Sequence, residues 1–260
     1  MTEVWAIVNA EWTKLRTVRS TYWTLALTVA VSAGLAYLVG HSLSGSYDGW
    51  DQDRRDDFDP LFASFLPLMV GQLVLVVFGV LAMSAEYSGG TIHASLTAVP
   101  RRGRFYAGKV LAVLGPALAV SVAAVLAAFF AGQAGLGGLG TSPGAAGVPR
   151  AMAGSVLVMT LMCLFALGLT AVARSATRVL AVLLPLLLLN SQGLGQVPAL
   201  KPVMQYLPDQ AGMVIMHVAG PQDDPRWARD YGPWTGLGVV ALWAAAALLA
   251  GLVALRRRDA

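Results

Sequence analysis

Residues 61–83 read LFASFLPLMVGQLVLVVFGVLAM, a stretch in which no side chain is acidic or basic. A helix needs about 20 consecutive apolar residues to cross the hydrocarbon core of a bilayer, and this stretch is long enough. Six apolar stretches occur in all, over residues 22–40, 61–83, 105–132, 151–173, 179–189 and 234–255. They predict an all-α integral membrane protein with six transmembrane helices in a single transmembrane domain, residues 1–260.

The fifth stretch is the short one. As a helix its eleven residues rise about 16 Å, half the thickness of a bilayer, and Pro185 interrupts it. The residues that follow, 191–233, form the longest predicted outer loop. We expect the span to continue through residues 190–193 as broken backbone, which is tolerated at membrane depth only where protein or a water-filled cavity covers it.

The composition excludes most other classes of protein. Hydrophobic residues make up 57% of the chain and charged residues 12%, about half the charge of an ordinary soluble domain, and the mean hydropathy is +0.65. Intrinsic disorder requires the opposite balance. The chain has one cysteine, Cys163, so a disulfide-stabilised scaffold is excluded as well.

Positive charge indicates the orientation of the predicted helices, because cytoplasmic segments of membrane proteins are enriched in lysine and arginine. With both termini in the cytoplasm, twelve of the eighteen basic residues fall on the cytoplasmic side and ten of the fourteen acidic residues fall outside. We therefore expect a multi-pass protein of the cell membrane with cytoplasmic termini. The net charge of +4 reflects this orientation, since a nucleic-acid partner would need one contiguous basic face.

Residues 1–20 are predicted to form an amphipathic helix in the headgroup plane of the membrane. At 100° per residue, apolar residues that include two tryptophans fall on one arc, and polar and basic residues fall on the other. Glu11 falls within the apolar arc and needs a partner, either Lys14 or a group outside the chain. Simple anchoring and the docking of a partner protein both remain open as roles for this helix.

Residues 84–104 form the predicted cytoplasmic loop between the second and third spans. A Ser-Gly-Gly turn precedes a short helix expected over residues 91–99. Glu86 is an acid at the end of an apolar span, on a side that is otherwise basic. Four roles remain open for it: accepting backbone N–H groups at the start of the short helix, pairing with Arg101 or Arg102, meeting a basic residue of a partner protein, or marking the membrane boundary.

The chain lacks the residues that catalysis or ion coupling would need. No charged side chain lies in the middle of a predicted span, which argues against a proton- or sodium-coupled transporter. None of the three lysines is followed by the serine or threonine of a nucleotide-binding P-loop, and no histidine begins a zinc-protease motif. We expect no enzymatic activity, no metal site and no cofactor in this chain.

Short motifs are spread along the chain: EWTKLR at 11–16, EY at 86–87, GTI at 90–92, SL at 95–96, PRR at 100–102, a lysine at 109 and RRRD at 256–259. With these motifs and six spans, the chain resembles the permease subunits of type-two ATP-binding-cassette (ABC) exporters, particularly small actinobacterial ones. The resemblance implies ATP-driven export of an amphipathic or hydrophobic substrate, such as a drug, a lipid or a natural product. It also implies a separate ABC ATPase that binds ATP and magnesium, a second permease copy or related permease, surrounding membrane lipid and no nucleic acid.

The resemblance further implies roles for individual residues, because the family contacts its ATPase through a first cytoplasmic helix and a coupling helix between spans two and three. The ATPase-coupling residues of this chain would then be Glu11, Lys14, Glu86, Gly90, Thr91, Ile92 and Leu96. The family's short re-entrant outer elements, which precede the last span, would correspond to residues 191–220. Its substrate path, at the interface of two permeases, would be lined by Phe65, Met69, Gln72, Leu183, Leu187 and Asn190. Hydrogen bonding between helices is the alternative role for Gln72 and Asn190.

Two other classes of function remain open. A membrane enzyme acting on lipid or peptide would need a nucleophile or metal constellation, and an interaction or immunity protein would keep the fold without transport. Co-purification separates these classes from an exporter, because a permease should bring down an ATPase whereas an enzyme needs none.

Overall fold

The computed structural model describes residues 2–90, 101–191, 200–224 and 227–257. Its helices, numbered over these residues, are α1 (Thr2–Thr17), α2 (Arg19–Ser46), α3 (Gln52–Asp56), α4 (Pro60–Phe65), α5 (Leu68–Ser88), α6 (Arg102–Leu136), α7 (Val148–Ala173), α8 (Ala176–Ser191), α9 (Lys201–Met204), α10 (Pro208–Met213) and α11 (Pro233–Arg257). Short 3-10 turns follow α2 and α6. The described residues contain no strand, so the all-helical prediction is confirmed for them.

Five helical segments are long and apolar enough to cross a membrane: Arg19–Gly49, Pro60–Ser88, Arg102–Leu139, Val148–Ala173 and Pro233–Arg257. They contain the first, second, third, fourth and sixth predicted spans, and each is longer than the apolar stretch that predicted it. The chain is therefore a multi-pass membrane protein, as the sequence predicts.

A sixth span is not confirmed, because the helix at the fifth position is too short. α8 has sixteen residues and a length of about 24 Å, less than the roughly 30 Å of a hydrocarbon core. It is nevertheless longer than the predicted stretch 179–189, and Pro185 lies within it without ending it. The expected re-entrant segment includes residues 192–199, which lie outside the described residues.

The stretch 61–83, predicted as one helix, is divided between α4 and α5, with Leu66 and Pro67 between them. Proline has no N–H to donate to the carbonyl four residues earlier, and its ring crowds that carbonyl. The helical hydrogen bonding is therefore interrupted at Pro67. At the other end of α4, the Asp59 carboxylate accepts a hydrogen bond from the Leu61 N–H at 2.8 Å and starts the helix.

α5 and α7 form the centre of the bundle. In the apolar windows of their segments 61% and 67% of residues are buried, against 22% for the segments that contain α2 and α11. The two central helices approach closely, since a Cβ added at Gly79 would lie 2.4 Å from the Cys163 carbonyl oxygen. α2 and α11 lie at the edge and leave large apolar side chains exposed, as a membrane requires.

α2, α5, α6 and α7 alternate in direction, and the short α8 lies between α7 and α11, which run in the same direction. The connections therefore gather at two ends of the bundle. The proximal end holds α1, the last turn of α5, the first turns of α6, and the last turns of α7 and α11. The distal end holds α3, α4, α9 and α10. The two ends differ sharply in how they hold charge.

Candidate functional site

One face of α1 presents an acidic side chain to the interior. Ile7, Glu11 and Leu15 are spaced four residues apart and are all buried. α1 packs against the start of α6, where a Cβ added at Gly108 would lie 2.4 Å from Ile7 Cγ2. The absence of a side chain at Gly108 permits the close approach that brings Glu11 next to α6.

Three further charged side chains meet Glu11. Lys14 lies one turn along α1, Glu86 in the last turn of α5, and Lys109 in the second turn of α6. Lys109 Nζ is 2.5 Å from Glu11 Oε2 and 2.6 Å from Glu86 Oε1. Lys14 Nζ is 2.7 Å from Glu11 Oε1 and 3.1 Å from Glu86 Oε1. Each lysine donates to both carboxylates, and we call these four residues the charge cluster.

The charge cluster is closed to solvent on all but one side. The side chains of Glu11, Glu86 and Lys109 are at most 4% exposed, whereas Lys14 is 43% exposed. The two carboxylates balance the two ammonium groups. Removing one partner of a buried ion pair costs about 3–5 kcal/mol, because the remaining charge is left uncompensated. The cluster therefore favours a single arrangement of α1, α5 and α6.

Lys14 remains charged throughout the physiological pH range. Burial by itself lowers the pKa of Lys14, but hydrogen bonds and negative charge from Glu11 and Glu86 outweigh it and raise the pKa above the ordinary value of 10.5. A raised pKa in the folded state contributes stability below pH 10.5 that is lost as the pH rises through the folded value. Changes of pH near neutrality therefore leave the charge of Lys14 in the cluster unchanged.

Tyr87 connects the end of α5 to a different neighbour, α7. Its hydroxyl donates a hydrogen bond to the Ala171 carbonyl oxygen at 3.3 Å, and the Arg174 guanidinium lies 5.8 Å from its ring centre. Arg174 ends α7 in the left-handed conformation, with φ of 54°. The adjacent side chains of Glu86 and Tyr87 therefore tie α5 to α1 and α6 through one residue and to α7 through the other.

The first turn of α6 also holds the end of α11. Arg102 Nη1 donates a hydrogen bond to the Leu255 carbonyl oxygen at 2.9 Å. A Cβ added at Gly103 would lie 2.7 Å from Arg256 Nη2. The proximal end thus joins five helices, α1, α5, α6, α7 and α11.

The structure brings together three of the predicted ATPase-coupling residues, Glu11, Lys14 and Glu86. A fourth, Gly90, follows α5 with φ of 64°, the left-handed conformation that favours glycine. The remaining three lie outside the described residues: Thr91, Ile92 and Leu96. Contact with an ATPase remains a prediction for all seven.

Two residues of the proximal end are missing from the predicted site, although both stand in the quoted motifs. Tyr87 follows Glu86 directly, and Lys109 is a cation inside an apolar helix, which is itself a signal that a buried acid lies nearby. Nothing in the sequence pairs Lys109 with Glu11, however, because the two are separated by 98 positions. Glu86 pairs with two lysines that the sequence analysis does not connect to it.

The predicted path residues lie mostly inside the chain. Four of them are buried: Phe65, Gln72, Leu183 and Leu187. Met69 is partly exposed, and the Phe65 ring packs 6.2 Å from the ring of Phe129. Asn190 belongs to the last turn of α8. These surroundings suit packing between helices of the same chain, and a role in a substrate path remains a prediction.

The arrangement at the proximal end is suited to holding helices together. Each carboxylate of the charge cluster is shared between two ammonium groups, so neither is available as a base. Within the described ranges, no group of three or more histidine, cysteine, aspartate or glutamate side chains could hold a metal ion. The chemistry of the cluster is ionic pairing.

Comparison with known proteins bears directly on this region. A family model described as "ABC-2 family transporter protein" matches residues 7–191. The match begins within α1, includes the whole charge cluster and ends at the last residue of α8. It covers well over half of the 260 residues. No curated protein matches the chain.

Proposed function

Because the chain belongs to the ABC-2 transporter family, we propose that it is the transmembrane subunit of an ATP-driven exporter. Family membership makes it a membrane transport permease. Its substrate is amphipathic or hydrophobic, and transport is directed out of the cell. The sequence has no P-loop of its own, so the energy comes from a separate ABC ATPase that binds ATP and magnesium.

The observation that carries this proposal is the charge cluster. It joins α1 to the end of α5 and the start of α6, the two helices on either side of the segment 91–100. Displacement of α1 reaches α5 and α6 through these paired charges. Packed and paired contacts of this kind convert small shifts into movements of whole helices. A permease that receives mechanical energy from another subunit needs such a contact.

The working assembly contains two permeases and two ATPase subunits. At the edge of the bundle, α2 and α11 expose large side chains such as Trp23 (75%) and Leu242 (71%), which lipid or a second permease would cover. Mass measurement in nanodiscs with the ATPase present tests the assembly. We expect two permease copies, or one copy with a related permease. A functional complex with a single permease would contradict the proposal.

Both termini lie in the cytoplasm, as the distribution of basic residues indicates. In a Cys163→Ala background, an impermeant thiol reagent applied to intact cells should label Ser46→Cys at the distal end and leave Thr177→Cys unlabelled. Both positions are exposed, so access to solvent is matched. External labelling of Thr177→Cys without labelling of Ser46→Cys would reverse the orientation.

Purification of the tagged permease from its native membrane tests the energy source. We expect an ABC ATPase to co-purify and the complex to hydrolyse ATP. A stable, monodisperse permease that carries no nucleotide-binding subunit, yet moves or modifies a substrate, would overturn the ATP-driven proposal and favour an enzyme or another transport mechanism.

A further inference from the structure

A cavity of about 1350 Å³ opens at the distal end, on the opposite side of the molecule from the charge cluster. Its walls come from the end of α2, the segment 50–62, the first turn of α7, and the segments 214–222 and 227–233, the second of which leads into α11. Binding sites for small molecules are usually about 300–1,000 Å³. The cavity is therefore large enough for a bulky ligand or for part of a long one.

Aromatic rings form much of the apolar lining: Trp50, Phe58, Phe62, Trp227 and Tyr231. Trp50 and Phe58 contact each other edge to face, with ring centres 5.7 Å apart. Tryptophan and tyrosine, which supply three of these five rings, are concentrated where membrane helices leave the hydrocarbon core, at the level of the lipid headgroups. The cavity is lined by residues at the ends of spanning segments, so its mouth lies at that level.

The charged lining is balanced, with three aspartates and three arginines among the described lining residues: Asp57, Asp59, Asp230, Arg54, Arg150 and Arg229. An anionic or a cationic ligand would leave one set of these charges uncompensated. A ligand that carries both charges would match both sets.

Four of the six charged side chains are already engaged by the protein. Asp59 caps α4, and Asp230 accepts a hydrogen bond from Gln205. The Arg54 guanidinium lies 4.4 Å from the centre of the Trp50 ring. The last of the four is Arg229, which donates to Gln210 Oε1 at 2.8 Å.

The other two, Asp57 and Arg150, are exposed. Within the part of the chain that the structure describes, their side chains make no hydrogen bond or ion pair. The cavity thus offers one carboxylate and one guanidinium to a ligand, beside an aromatic surface.

We propose that this cavity binds a zwitterionic phospholipid from the adjoining leaflet. The headgroup ammonium pairs with the Asp57 carboxylate, and the phosphate pairs with the Arg150 guanidinium, whose planar donors suit phosphate oxygens. The glycerol backbone and upper acyl chains lie against the aromatic rings. A phospholipid is the zwitterion present at the mouth of the cavity at the highest local concentration. The site does not depend on the charge cluster or on coupling to an ATPase.

Native mass spectrometry tests the proposal on the full chain, released from nanodiscs that contain equal amounts of phosphatidylethanolamine and anionic phosphatidylglycerol. We expect the protein to retain phosphatidylethanolamine selectively. Asp57→Asn and Arg150→Gln should each weaken retention about tenfold, the scale of one charge-assisted hydrogen bond. Both positions are exposed, so neither variant should affect folding.

Two matched variants serve as controls, Asp56→Asn in the same distal segment and Arg178→Gln at the other end of the bundle. Both positions are exposed and neither lines the cavity, so retention should equal that of the unaltered protein. Equal retention of the two lipids would overturn the proposal, as would unchanged selectivity in both cavity variants. Preference for phosphatidylglycerol that only Arg150→Gln abolishes would indicate an anion site instead.

Discussion

The two ends of the bundle hold charge in opposite ways. At the proximal end, three of the four residues of the charge cluster are almost fully buried, and every charge meets charges of opposite sign. At the distal end, the charged residues of the cavity are all at least partly exposed, and most are bonded to neutral groups or rings. Separating buried, paired charges is costly, whereas exposed charges reorient in water at little cost. The proximal end is thus built to hold one arrangement, and the distal end to adapt to what it binds.

Removing the central cation of the cluster should have the largest effect. Lys109→Met leaves two carboxylates facing Lys14 alone, in surroundings that exclude water. We expect the free energy of unfolding to fall by about 3–5 kcal/mol, which lowers the unfolding temperature in detergent by roughly 10 °C or more.

The matched variant at the distal end is Arg150→Met, which also replaces a cation with methionine but at an exposed position. Its free energy of unfolding should change by no more than about 0.5 kcal/mol. Similar losses from both variants would remove the proposed difference between the ends.

A smaller effect is expected from the packing that brings α1 to the cluster. A Cβ at Gly108 would clash with the Ile7 γ-methyl, which a β-branched side chain cannot easily move away. Gly108→Ala should therefore cost about 1–3 kcal/mol, and Ile7→Ala in the same chain should recover part of the loss.

Gly103→Ala, in the same helix, is the control for Gly108→Ala. Its Cβ would meet only the far end of the flexible Arg256 side chain, which can move aside. Gly108 lies inside α6 and Gly103 in its first turn, so alanine gains up to about 1 kcal/mol more in helix propensity at position 108. A lower unfolding temperature for Gly108→Ala than for Gly103→Ala is therefore due to the clash with α1. Equal temperatures would mean that α1 does not pack tightly on α6.

The long helices are predictable from sequence because the bilayer imposes a length and an apolar composition on each span. Five of the six predicted spans correspond to helices of spanning length. The interruption at Pro67 is predictable in principle, since proline cannot continue the helical hydrogen bonds. Apolar composition alone does not reveal it, because residues 61–83 are apolar on both sides of the proline.

The charge cluster is only partly predictable. The place of Glu11 on the apolar arc of α1 predicts that it needs a partner. Helical spacing predicts Lys14 as that partner, because it lies three residues further along the same helix. The contacts of Lys109 with both acids arise from the packing of three helices that are distant in sequence, and no local pattern encodes them. The distal cavity is unpredictable for the same reason, because its lining comes from several separate parts of the chain.

The smallest effect on stability is predicted for a substitution at the distal end. Asp57→Asn should leave the unfolding temperature almost unchanged, because an exposed, unpaired carboxylate adds no more than about 0.5 kcal/mol to stability. Thermal unfolding of Asp57→Asn beside Glu86→Gln checks this. Glu86→Gln replaces a buried, doubly paired carboxylate and should lose about 1–3 kcal/mol. Equal shifts would contradict the comparison.

A pair of substitutions tests the link between α5 and the charge cluster most directly. It removes the ionic contact of α5 while leaving the stability of the fold almost unchanged. Glu86→Met combined with Lys14→Met removes one charge of each sign and leaves Glu11 paired with Lys109. Replacing both partners of an ion pair with apolar groups of similar size is often neutral for stability. The ionic contact between α5 and its neighbours is lost all the same.

The measurement is ATP hydrolysis by the co-reconstituted ATPase, together with export of a fluorescent hydrophobic dye from proteoliposomes. Arg178→Gln serves as the exposed control at the same end. We predict an unfolding temperature close to that of the unaltered protein, with dye export and dye-stimulated ATP hydrolysis both strongly reduced. Export and stimulation at the level of Arg178→Gln would show that the permease does not need this contact to receive energy from its ATPase.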